Sequence, residues 1–499
     1  MNVKRTLDDK GVAATWNRRR FLGATGTMLT LPVLFAGTRP VEFVAEFVDA
    51  YNDKDRQAVA RWAANRVSQG GLERQSAADW AEWLSGQFEH TGKLSLLAME
   101  QRGSIVRLVC ALEKVPMARR VDLRFDRYDP TRVFDLRPVA EPTPHIVGRG
   151  NLPGTTDVRA QIRQRLDFAT SRGEFSGVVR IDRADARPFF SAAFGLAEVS
   201  EGRPIEADTR FNLGSADKSF TALLIAQMIE AGQLQLSSRV SDLLQDFEIL
   251  GASEMTIRNL LTHSAGLGDP PGGIHAYSHD PYDKVSDLLP VIAAIPVAFA
   301  PGEHTSYSNE GYVVLGAIIE RVTQKPFWTV LQERIYEPAG MQSSGHFVRD
   351  EVLRQCAMGY YHDRSDLFRC LPAKSNADIL PWRGNSCGGG YSTAADIAAY
   401  FRALGNGQLV KPETLEMLTE KAGEIYPGVG YGMGFIREAV GDKVFVGHSG
   451  GGNSIGIGSS LRMSLDNNWS VAILGNCDLP YSDAILRDIL PMLASADAL

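Results

Sequence analysis

Apolar residues first recur at helical spacing near residue 43. Phe43, Val44, Phe47, Val48 and Tyr51 fall on one side of a 3.6-residue repeat, which predicts an amphipathic helix. A second helix is expected over 76–88, carrying Trp80 and Trp83. The period then changes to two. Val121, Leu123 and Phe125 alternate with Asp122, Arg124 and Asp126, the pattern of a half-buried strand. Strand-like runs at 94–99, 105–112, 121–125 and 133–136 make a meander. Helices followed by a meander predict a small α+β unit over 41–140, with its tryptophans in the core.

Proline and glycine then gather over 141–155, which reads as a linker. A second unit follows over 156–499. It opens on an amphipathic helix with Val158, Ile162, Leu166 and Phe168, and continues with strand runs at 176–181 and 189–197. A long helical middle reaches from Ser215 to about Leu418. Strands return at 431–436, 443–446, 455–463 and 469–474, before a last helix carrying Ile485, Ile489, Leu490 and Leu493. Strands at both ends of the unit predict one antiparallel sheet closed by the two ends. The helical middle is then a subdomain packed against that sheet, and the crevice between them is the natural place for a site. The fold class expected for the whole chain is α+β.

Composition narrows the function classes. The 499 residues are 44% hydrophobic and 22% charged, ordinary for a soluble protein with two or three domains. Such a chain can bury a core without metal or disulfide staples. The net charge of -7 and the lack of a basic stripe exclude a nucleic-acid partner. Five cysteines show no CxxC spacing. A Cys356–Cys370 disulfide is conceivable in an oxidising compartment, but buried free thiols are the simpler reading. The first 40 residues read as an address. Asn17-Arg18-Arg19-Arg20-Phe21-Leu22 resembles a twin-arginine export signal. The apolar stretch over 21–36 that follows is too short and too rich in glycine and threonine for a membrane span. Export to the periplasm or beyond is therefore expected. Leu34 suits a cleavage site poorly, so membrane association through an uncleaved signal stays open. The bland alternative is a disordered basic tail.

Candidate chemistry begins at Ser215-Ala216-Asp217-Lys218, at the mouth of an apolar helix with Phe220, Leu223, Leu224 and Met228. Residues three apart on a helix share a face, so hydroxyl and amine can hydrogen-bond. A lysine buried beside an apolar face can take up a proton. Alone, the tetrad is a weak signal, and a serine cap beside a solvated lysine would explain it equally well. Its company strengthens it. Leu260 to Leu267 includes Thr262-His263-Ser264-Ala265-Gly266. Pro301-Gly302-Glu303 leads to Tyr307-Ser308-Asn309, then come Gly388-Gly389-Gly390-Tyr391-Ser392-Thr393 and Gly447-His448-Ser449-Gly450-Gly451.

On these motifs, the chain from about Val158 to Ala494 resembles the serine β-lactamase-like family: class C β-lactamases, D-alanyl-D-alanine carboxypeptidases and related esterases. The resemblance implies an antiparallel sheet flanked by helices plus a helical subdomain, and a serine hydrolase acting through an acyl-enzyme. It implies Ser215 as nucleophile, Lys218 as its activating amine and Tyr307 as the phenol that takes and returns protons. Asn309 would orient the substrate amide and Lys218. His448-Ser449-Gly450 would be the edge-strand element opposite the nucleophile, and the N–H groups of Ser215 and Gly451 the oxyanion hole. No cofactor and no metal are implied, and the partner is a small-molecule or peptide substrate. D-alanyl peptides, β-lactams and small esters all remain open. His448 stands where many relatives have lysine, so a substrate carboxylate would meet a histidine that must be protonated to be a cation. The first unit resembles the cone-shaped NTF2-like group, on the order of its elements alone.

Three rival readings can be weighed. Gly-x-Ser-x-Gly occurs around Ser386, Ser449 and Ser454, the nucleophile elbow of α/β-hydrolases. That fold needs a histidine after the nucleophile, and none follows His448. Ser386 lacks a preceding apolar strand. His275 and His279 are four apart, but Pro270, Pro271, Gly272 and Gly273 make the segment a loop without a third ligand, so no metal is expected. His263 reads as a capping or packing residue. The non-enzyme alternative is a degenerate sensor or binding protein on the same fold.

Overall fold

The computed structural model describes residues 40–139 and 157–496, apart from 54, 103–104, 126–130, 184–187, 271–272, 274–277, 363–372 and 427–428. The expected export motif, the expected linker, Cys370 and His275 lie outside the described residues.

The first unit packs helices α1 (Pro40–Asn52), α2 (Arg56–Arg66), α3 (Gln69–Arg74) and α4 (Ala77–Thr91) with strands β1 (Leu94–Arg102), β2 (Ile105–Leu112), β3 (Val115–Phe125) and β4 (Val133–Val139). The strands form an antiparallel meander in chain order. Helix α4 starts where Ser76 accepts from Asp79 N and Asp79 reaches back, a capping box that fixes the entry. Phe43, Phe47, Trp62, Trp80, Leu108 and Leu123 are buried together, whereas Trp83 is only partly buried against this cluster.

The second unit begins with α5 (Val158–Ser171), β5 (Gly177–Arg183) and β6 (Pro188–Phe194). A 3-10 turn at Gly214–Asp217 leads into α6 (Lys218–Glu230). Helices α7 (Asn309–Thr323) and α8 (Ala394–Gly405) follow in the helical region. The chain returns to the sheet through β7 (Gly423–Tyr426), β8 (Val429–Tyr431), β9 (Ile436–Val440), β10 (Lys443–Gly451), β11 (Gly458–Ser464) and β12 (Trp469–Gly475), and ends in α9 (Leu479–Ala496). One antiparallel sheet of eight strands results, in the order β7-β8-β9-β10-β11-β12-β5-β6. Its two chain ends meet where Trp469 pairs with Arg183 and Gly475 with Gly177.

Side chains alternate across β5. Val179 and Ile181 face Ile162, Leu166, Ile485 and Ile489 of α5 and α9, whereas Val178 joins Phe220, Leu223 and Val313 of the helical region. This is the period of two expected for a sheet buried on both faces. The run at 431–436 is a correction. It is not one strand but the end of β8 and the start of β9 with a turn between, closed by Gly432 N donating to Phe435 O. Gly434 sits in the turn with φ +85°, a conformation that glycine adopts without steric cost.

Candidate active site

The nucleophile turn departs from a simple helix start. Ser215 lies in the 3-10 turn, and α6 begins only at Lys218. A 3-10 turn has three residues per revolution, so residues i and i+3 eclipse. Lys218 Nζ accordingly donates to Ser215 Oγ at 3.2 Å. Gly214 has φ +51°, and a Cβ there would stand 2.5 Å from Gly451 N. Both conformation and close approach therefore require glycine.

Lys218 is fully buried. Its amine also donates to Asn309 Oδ1 at 2.7 Å and to Cys387 O at 2.6 Å. Asn309 is the first residue of α7, and Ser308 caps that helix by accepting from Gly311 N. Tyr307 comes just before the cap, its ring centroid 4.9 Å from Lys218 Nζ. His263 holds this approach in place. Its Nδ1 accepts from Ser308 N at 3.1 Å, and its ring lies against Tyr307 and Tyr312. Its φ of +57° is uncommon for a residue other than glycine. Burial and the charge of Lys218 hold its imidazole well below the usual histidine range. Sequence reasoning missed the Cys387 carbonyl, since no motif marks a backbone acceptor.

Opposite the turn runs the end of β10. A Cβ on Gly450 would lie 1.8 Å from Leu213 O and 2.7 Å from Ser215 N, so only a bare backbone can pass there. His448 and Ser449 precede it. Ser449 O can only accept, so the 2.6 Å contact requires a proton on His448 Nδ1. Nε2 then faces the Tyr431 hydroxyl at 3.2 Å. Burial and the Lys218 charge push the His448 imidazole down to about 3. His448 is thus neutral near pH 7, with both ring nitrogens engaged. A substrate carboxylate here would meet a neutral imidazole rather than a cation.

A cavity of about 610 Å³ opens between turn and strand, with Ser215, Tyr307, Asn309, His448, Ser449 and Gly451 all on its wall. The structure thus brings the sequence-derived residues together around one space. Gly450 backs it from the strand. Apolar side chains, among them Ile379, Leu380, Ile436, Ile455 and Leu486, line the remainder. Polar groups unmarked by any motif also reach it, among them Arg462 from β11 and Asp483 and Arg487 from α9.

An antiparallel sheet backed by helices, with a serine hydroxyl bonded to a buried lysine at the crevice, defines a serine hydrolase. The family model for beta-lactamase matches residues 158–495, and the chain belongs to that family. It is 29% identical over 346 residues to penicillin-binding protein 4* of Bacillus subtilis, covering 66% of this chain and 74% of the relative. Esterase EstB of Burkholderia gladioli is 28% identical over 330 residues, covering 58% and 81%. Among solved structures, a penicillin-binding protein of Bacillus halodurans superposes with a TM-score of 0.57 at 26% identity, covering 66% of this chain and 98% of that one.

Proposed function

We propose that the protein cleaves ester or amide bonds by forming an acyl-enzyme on Ser215. The observation that carries this is the Lys218 amine, which gives three protons to Ser215 Oγ, Asn309 Oδ1 and Cys387 O. Ser215 Oγ accepts one of them and keeps its own proton to give away. Tyr307, beside the same amine, is placed to receive it in its deprotonated form. As Oγ attacks the acyl carbon, the charge on the carbonyl oxygen falls to the N–H groups of Ser215 and Gly451. Tyr307 then returns the proton to the leaving group, and water releases the acyl group by the reverse path.

Complete proton-handling machinery disfavours a degenerate binding protein. The relatives, a penicillin-binding protein and an esterase by name, leave amide and ester chemistry both in play. The test is labelling with a fluorophosphonate and mass spectrometry of the digest. The adduct is expected on the peptide holding Ser215, and an adduct on Ser386 or Ser449 counts against the scheme. The Arg18-Arg19 motif supports export by the twin-arginine route. Replacing both arginines with lysine is expected to hold the protein in the cytoplasm on fractionation.

A further inference from the structure

We infer that Asp483 makes the site select against substrates whose leaving group carries a carboxylate. The inference rests on the acyl-enzyme reading and names the substrate class within it: leaving groups that are neutral or that bear hydrogen-bond donors. It starts from Ser449, the hydroxyl of the strand element that faces Ser215. That hydroxyl has one proton to give, and it donates to Asp483 Oδ1 at 2.9 Å. Its lone pairs are approached by Arg462 Nη1 at 3.4 Å. Ser449 therefore has no proton left for an incoming carboxylate. Neither has His448, whose Nδ1 proton goes to Ser449 O and whose Nε2 meets Tyr431.

Both side chains of the element are thus committed, and the group behind them is an anion. Ser460 Oγ also donates to Asp483 Oδ1, at 2.6 Å, which fixes the carboxylate in place from two strands. Asp483 lies on the cavity wall and is only partly buried. A substrate carboxylate over Ser449 would come within a few ångströms of it. Like charges that close repel, and in a half-buried apolar pocket water screens them poorly.

Two cations face the same space. Arg462 is buried and held by Glu438, its Nε donating to Oε2 at 2.6 Å and its Nη1 to Leu461 O at 2.9 Å. Its charge is answered by Glu438 within the protein. Arg487 stands one helical turn beyond Asp483 and is exposed, so water screens it. An amide N–H, a hydroxyl or an ammonium on the leaving group would instead find the free Oδ2 of Asp483 as an acceptor.

Two acetate esters test this, one of 3-hydroxybenzoate and one of 3-hydroxybenzamide. They differ by a carboxylate against a carboxamide on the leaving group. Each kcat/KM is divided by the ester's own uncatalysed rate. Wild type is expected to favour the carboxamide by about tenfold or more, the scale of one charge repulsion of ~1.4 kcal/mol. Asp483→Asn keeps the acceptor Oδ1 for Ser449 and Ser460 while removing the charge. It should shrink that preference at least threefold, mainly through faster turnover of the carboxylate ester. Equal use of the two esters by wild type would overturn the inference. So would a preference for the carboxylate that Arg487→Gln abolishes, or an unaltered ratio in a folded Asp483→Asn protein. Failure of the acyl-enzyme reading looks different: turnover persists in Ser215→Ala, or the fluorophosphonate leaves Ser215 unlabelled.

Discussion

Lys218 binds three acceptors at once, and each side chain of the relay touches the others' work. Lys218→Ala removes the donor to Ser215 Oγ and Asn309, and Tyr307→Phe removes the phenol. Each should lower kcat by about 10²-fold or more, the usual scale for a lost general acid–base. Because the groups form one relay, the double variant should cost much less than the product of the singles, as measured by kcat on a nitrophenyl ester. His448 makes a different prediction. Its imidazole is held at about 3, below the usual 6.5. The unfolded chain therefore binds a proton as pH falls below about 6.5, while the folded chain stays neutral until about 3. Stability from this group is fully present above 6.5 and is lost progressively on the way down to 3. Urea midpoints of wild type should fall across that window, and His448→Asn, which retains a donor for Ser449 O, should show a shallower fall. Equal slopes would mean that other groups govern the acid limb.

At the scale of elements, the site depends on a strand end pressed against a turn. Gly450→Ala would place a methyl 1.8 Å from Leu213 O. The backbone must move, at about 1–3 kcal/mol for such overpacking. The N–H groups of Ser215 and Gly451 move with it, so kcat/KM should drop by about 10²-fold, with far-UV circular dichroism unchanged. The same element shows what sequence can and cannot tell. Ser215 and Lys218 are legible because three residues span one turn, whichever helix type forms. Tyr307 and Asn309 are legible through the Pro-Gly-Glu lead and the serine cap between them. Asp483 is silent in sequence, since it reaches the site from a helix whose apolar stripe advertises only packing. Tyr431, Met433 and Phe435 alternate like a strand, yet Gly432 and Gly434 turn the chain. Helix α2 escapes the periodicity reading because its buried stripe is only Val59, Trp62 and Ala63.

At the scale of the whole chain, the buried side chains around Phe47 and Leu108 belong to a different cluster from those around Phe220 and Val313. None of the proposed reacting groups comes from residues 41–140. A truncated chain starting near Thr156 should therefore fold and keep hydrolysing a small ester. The full chain should show two calorimetric transitions, with covalent labelling of Ser215 raising only one of them. A well-folded truncation without any turnover would show that the first unit completes the site.

The sheet of the second unit carries a constraint on timing. Strand β5 is bordered on one side by β12, and Arg165 of α5 pairs with Asp488 of α9, 323 residues later. During synthesis, a ribosome adding about 5–20 residues per second would expose β5 long before its neighbour existed. The β10 end that backs Ser215 also emerges late, more than 200 residues after the nucleophile. A nascent chain halted before β12 would thus present an open sheet edge at β5, and one halted before the end of β10 would also lack the Gly451 N–H of the oxyanion hole. Hydrolytic competence therefore waits for β12, and chains that stop before it should be inert and aggregation-prone rather than partly active.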